Sequence, residues 1–154
     1  MGVVNNGTGD EKLIASVFGI MKNGRVSVGG FVLQTQNAII VTDKRILIIT
    51  VPIPGAELHE ISMAQIMFMK SKIAEKGNQM LKGMSFDQIL KSNNTNVSIN
   101  FSEIQGIEFG KPLLGFIGGN TLKILTKKGD KISYAILNKE DLKNLKEVLK
   151  DYST

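Results

Sequence analysis

Ala38-Ile39-Ile40-Val41-Thr42-Asp43-Lys44-Arg45-Ile46-Leu47-Ile48-Ile49-Thr50-Val51 decides the fold. Two β-branched runs flank only Asp43-Lys44, a connection of hairpin length. A strand period of two puts Ile46 and Ile48 on one face and Leu47, Ile49 and Val51 on the other. Both faces are apolar, so the hairpin must be covered on both sides. The rest of the chain has to supply two covers.

Downstream, Val97, Ile99 and Phe101 alternate with Ser98, Asn100 and Ser102, and residues 104–109 continue as a further strand. Residues 121–126 and 131–137 flank Lys127-Lys128-Gly129-Asp130, a strong hairpin signal. The chain closes with a well-marked helix: Asn138 as cap, Glu140 and Asp141 where the helix dipole favours anions, Lys146 and Lys150 where it favours cations. Leu142, Leu145, Leu149 and Tyr152 form its buried stripe. Upstream, Leu13, Ile14, Val17, Phe18 and Met21 fall at helical spacing before Asn23-Gly24, which predicts an N-terminal helix over 10–22. Val26, Val28, Phe31 and Leu33 give a first strand kinked by Gly29-Gly30.

Between the third and fourth strands, residues 56–94 are helical in character. Ser62-Met63-Ala64-Gln65 and Ser85-Phe86-Asp87-Gln88 both have capping-box spacing. Gly77 is expected to close the first of these helices and Asn93 the second. The fold class is therefore α+β: a small antiparallel seven-stranded barrel capped by the C-terminal helix, with an N-terminal helix and a helical insertion. All of it is expected to form one domain over residues 1–154.

The apolar run, Thr42-Asp43-Lys44-Arg45 and second apolar run resemble the second and third strands of bacterial pleckstrin-homology-like and GRAM-type domains. Val97-Ser98-Ile99-Asn100-Phe101-Ser102-Glu103-Ile104-Gln105-Gly106-Ile107 is similar to their next two strands, and the terminal hairpin and helix keep the family's order. The resemblance implies a non-catalytic binding module for lipid headgroups or proteins. It also implies that the first-to-second, third-to-fourth and sixth-to-seventh strand connections share a rim. The family's lipid-binding members hold basic residues on the first two strands and their loop, where this chain has neutral Gln34, Thr35, Gln36 and Asn37. Residues 42–45 also have a purely structural reading: Asp43 suits a tight turn, Thr42 bonds the turn backbone, and Lys44 and Arg45 lie over the sheet edge.

Composition narrows the rest. The chain of 154 residues is 42% apolar and 21% charged, and its net charge of +5 permits an anionic partner without naming one. It has no Cys, which removes disulfides, thiolate metal sites and thiol nucleophiles. No basic stretch opens the chain and no apolar run reaches membrane-spanning length, so a cytoplasmic location is expected. His59 is the only His, Gln105 and Pro112 spoil a phosphate-loop pattern around Lys111, and residues 115–119 lack dinucleotide-loop spacing. Neither an enzyme nor a cofactor or metal site is expected. Arg25 and Arg45 are the only arginines and no strand alternates aromatic with basic residues, so no nucleic-acid partner is expected.

Two candidate surfaces remain. Ile66-Met67-Phe68-Met69 is a run of four apolar residues that a helix points almost all round, and Met recurs at adaptable contact surfaces. With Ile73 they are the candidate interface for self-association or another protein partner. The competing account is a second core closed by Phe86, Ile89 and Leu90. Lys127, Lys128 and Lys131 are a candidate contact for an anionic lipid or membrane surface, on which the apolar helix would dip into lipid; otherwise they are a solvated hairpin tip.

Overall fold

The computed structural model describes residues 11–22, 37–52, 63–110, 120–136 and 138–153, with the side chains of 21–22 and 63–70 outside that description. Among the described residues there are seven strands: β1 (Leu13–Lys22), β2 (Asn37–Thr42), β3 (Arg45–Thr50), β4 (Val97–Asn100), β5 (Ile104–Gly110), β6 (Asn120–Thr126) and β7 (Lys131–Ile136). Three α-helices accompany them: α1 (Met63–Gly83), α2 (Phe86–Lys91) and α3 (Lys139–Val148). All ladders between strands are antiparallel. The order is β4-β3-β2-β1-β7-β6-β5. β1 to β4 make one sheet and β5 to β7 the other, and they meet where Met21 and Lys22 pair with Ala135 and Tyr134.

The architecture is α+β, but two expectations are corrected. The strands do not close into a barrel: the order ends at β4 and β5, and among the described residues no ladder joins those two. The four-residue β4 instead runs into a 3-10 turn at Phe101–Glu103 that starts β5 on a new sheet. The predicted N-terminal helix is strand β1. Its ladder slips between Leu13 and Ala15 and again between Phe18 and Ile20, where Gly19 takes φ 76°. Each bulge breaks the period of two, so the apolar residues imitate a helical spacing. The bulge at Gly19 also turns Ile20 to the same core as Val17, leaving Phe18 on the opposite face. The strand expected over 26–33 lies outside the described residues.

The first sheet is the middle layer. On its inner face Ile39, Val41, Ile46 and Ile48 join residues of the second sheet (Ile107, Leu122, Ile124, Ile136) and Leu142, Leu145 and Leu149 of the terminal helix region. On its outer face Ala38, Ile40, Leu47, Ile49 and Val51 meet Ile73, Met80 and Leu81 of α1 and Phe86 and Ile89 of α2. The two-faced hairpin thus has both covers within the chain. Full burial of side chains of this size contributes roughly 1.5–3 kcal/mol each.

Helix ends follow local chemistry. Asn138 Oδ1 accepts from the backbone N–H groups of Glu140 (2.8 Å) and Asp141 (3.2 Å). Ser85 and Gln88 form the expected reciprocal capping box. Ser62, the other expected cap, lies outside the described residues. α1 does not stop at Gly77 but runs on to Gly83, and α2 ends at Lys91 with Ser92, not Asn93, as its cap.

Candidate functional site

The β2–β3 turn is a built structure. Asp43 Oδ1 accepts from Lys12 N at 2.8 Å, and Asp43 N donates to Lys12 O at 3.0 Å. The Thr42 hydroxyl accepts from Arg45 N at 3.0 Å and donates to Glu11 Oε1 at 2.7 Å. Arg45 then grips Glu11 in a two-pronged pair, Nε to Oε1 at 2.9 Å and Nη2 to Oε2 at 3.0 Å. Its Nη2 also reaches Asp87 Oδ1 of α2 at 2.8 Å. Both Arg45 and Glu11 side chains are 16% exposed, so solvent screens their pair less than the pair with Asp87. The Glu11 carboxylate, outweighing partial burial, holds the Arg45 guanidinium above its ordinary value. Arg45 in turn holds the Asp87 carboxyl below the usual range. These contacts make residues 42–45 a structural clamp joining the lead into β1, the hairpin and α2. The spacing of 42–45 marks the turn, but Glu11 and Asp87 are distant in sequence and carry no local signal.

The helical cover divides in two. In its second half, Ile73, Gly77, Met80 and Leu81 are buried, as are Phe86 and Ile89 of α2, with Leu90 partly so. Ile73 has no exposed surface and belongs to this second core, so it is corrected from interface to core residue. The second core read from Phe86, Ile89 and Leu90 is therefore present. In the first half of α1 the backbone is helical at 66–69, while the side chains of Ile66, Met67, Phe68 and Met69 lie outside the described residues.

The basic tip sits elsewhere. Lys127, Lys128 and Lys131 are all exposed. Thr126 O accepts from Gly129 N, which has φ 96°, and Thr126 Oγ1 accepts from Asp130 N at 3.1 Å. Lys127 N donates to Glu103 O at 2.8 Å, and Phe101 N to Lys44 O at 3.2 Å. The tip is thereby tied to the β4–β5 corner and, through it, to the β2–β3 turn. Of the first-to-second strand connection expected to share a rim with it, Gln34–Asn37, only Asn37 is described, as the first residue of β2; residues 34–36 lie outside the described residues, as do His59 and Lys111.

Among the described residues no group of three or more His, Asp or Glu side chains could hold a metal ion. Among the same residues no helix is long and apolar enough to cross a membrane. Comparison with family models, curated proteins and solved structures returns no match to this chain.

Proposed function

We propose that this chain is a non-catalytic interaction module of the pleckstrin-homology-like kind, working in the cytoplasm through protein contact, first with a second copy of itself. The kinship is supported by the residues 42–45 turn and by the order β4-β3-β2-β1-β7-β6-β5 followed by a terminal helix packed on the inner core.

One observation carries the interaction surface. α1 is continuous for 21 residues and carries four consecutive apolar residues, 66–69, ahead of the buried Ile73. At 3.6 residues per turn, positions 66 and 69 fall within about 40° of Ile73 and position 67 about 40° from the buried Leu81, while 68 falls about 140° from both. An apolar run spread around a helix exceeds what one packed face can use, and the surplus suits a partner. Light scattering on a sizing column tests this. The expected mass exceeds the 16.8 kDa of one chain and returns to it in the double variant Met67→Glu, Phe68→Glu. A wild-type mass of one chain at every concentration refutes self-association.

A second reading rests on the hairpin tip, where Lys127, Lys128 and Lys131 are exposed and suit an anionic surface. It ranks second because Asp130 lies in the same turn, and Glu103, whose carbonyl accepts from Lys127 N, lies next to it, and both weaken the local field.

A further inference from the structure

We infer that Gly77 and Phe18 set the height of α1 on the first sheet and, through the unbroken helix, the placement of the apolar run 66–69 toward a second copy. Both act as positioning residues for the α1 surface, and this rests on the self-association reading above. The seat lies in the second half of α1. Ile73, Gly77 and Leu81 are buried and stand four residues apart, so they form one row along the helix. At the middle of that row there is room for no side chain: a Cβ on Gly77 would lie 2.6 Å from Phe18 Cδ1 and closer still to Cε1. Phe18 is 8% exposed and shares a core with Ala38, Ile40, Leu47 and Ile49, so the ring has little freedom to yield. Packed carbon atoms rest about 3.5–4.0 Å apart, so an alanine at 77 drives α1 away from β1 by about 1 Å or tilts it.

The helix carries that movement to its other half. α1 runs from Met63 to Gly83 without interruption. Position 68 is nine residues from position 77, about 14 Å along the same axis. Well-packed contacts between proteins are as dense as interiors, so a displacement of this size spoils the fit of one copy on the other. The inner core takes no part in the seat, because the two cores share no residue. Placement of the α1 surface therefore answers to the outer core alone.

Analytical ultracentrifugation of the full chain over a dilution series reads the dissociation constant. Gly77→Ala is expected to weaken self-association about fivefold or more. Phe18→Leu opens a gap beneath residue 77 and weakens it as well. The pair Gly77→Ala, Phe18→Leu refits the seat and associates more tightly than either single variant, which a merely structural role would not produce. Should Gly77→Ala fail to fold, the pair against Phe18→Leu alone decides. Ile136→Val, a small loss in the inner core at 1% exposure, is the control and keeps the wild-type constant. A wild type that associates, with the same constant in Gly77→Ala or with equal weakening in Ile136→Val, overturns the seat and leaves the α1 reading standing. A wild type of one chain at every concentration overturns both.

Discussion

Gly77 of α1 lies directly on the ring of Phe18 in β1. A Cβ placed on Gly77 would come within 2.6 Å of Phe18 Cδ1 and closer still to Cε1. The helix can cross β1 at this height only because residue 77 has no side chain. On propensity alone, alanine in a helix interior is favoured over glycine by about 1 kcal/mol. Phe18 is only 8% exposed and packed among the second-core residues, so it cannot step aside, and the overlap wins. Gly77→Ala is expected to destabilise by about 1–3 kcal/mol in urea unfolding. Adding Phe18→Leu should recover part of that loss, a coupling a double-mutant cycle reads directly. A Gly77→Ala protein more stable than wild type would disprove the contact.

The clamp at Arg45 gives an order of effects. Arg45→Met strands Glu11 without its partner in a mostly covered place, and a loss of about 2–3 kcal/mol is expected. Asp87→Asn removes a contact whose carboxylate is 71% exposed, and should cost well under about 1 kcal/mol. Chemical denaturation of the two variants side by side checks the ranking; equal losses would mean that the hold on α2, rather than on Glu11, is the main role.

Asp87 also sets a small acid dependence. Its folded carboxyl titrates below the unfolded value because Arg45 bonds the charged form. The unfolded chain therefore binds the proton first. The stability from this pair is present above the ordinary Asp range, near about 3.9, and fades as pH falls through it. Wild type and Asp87→Asn should differ near neutrality and converge below that range. A difference that grows with acidity would reverse the sign and reject the assignment.

The hairpin from Ala38 to Val51 was legible because each face alternates cleanly: Ile46 and Ile48 in one core, Leu47, Ile49 and Val51 in the other. Asn138 and Ser85 were legible because capping is local chemistry. β1 was not, since a bulged strand whose Val17 and Ile20, three residues apart, face the same core shows no period of two. A glycine inside the supposed helix and the β-branched Ile14, Val17 and Ile20 were the available signals. Gly77 misled for the opposite reason: its role is a long-range fit to Phe18, which no local stop rule expresses. Of the candidate interface, helical spacing alone could not tell that Ile73 belongs to the packed row.

Tyr134 predicts behaviour in alkali. Its side chain faces the inner core at 4% exposure, and its hydroxyl has no hydrogen-bond partner among the described residues. Burial pushes its pKa up. The unfolded chain thus loses the proton first as pH rises, so this residue's share of stability is intact below about 10 and is lost above it. Tyr134→Phe is expected to be neutral or stabilising by up to about 1 kcal/mol at pH 7, because an unpaired buried hydroxyl disappears. It should also flatten the fall in melting temperature above that pH. A Phe variant that melts earlier at pH 7 would show that the hydroxyl is bonded in the folded state.

The lysine tip separates the two functional readings. Lys127 and Lys128 are exposed, and the turn beneath them is held by backbone bonds and Thr126 rather than by their side chains. Lys127→Glu with Lys128→Glu should therefore move stability by no more than about 0.5 kcal/mol. If the chain works through α1, the charge-reversed protein keeps its wild-type mass on the sizing column and neither protein sediments with vesicles of anionic phospholipid. If the tip reads an anionic surface, the wild type sediments at low salt, releases as salt rises toward and beyond about 0.15 M, and the double variant does not sediment at all. Salt-resistant sedimentation shared by both proteins would instead assign the contact to apolar insertion, for which the Met67→Glu, Phe68→Glu protein is the matching control.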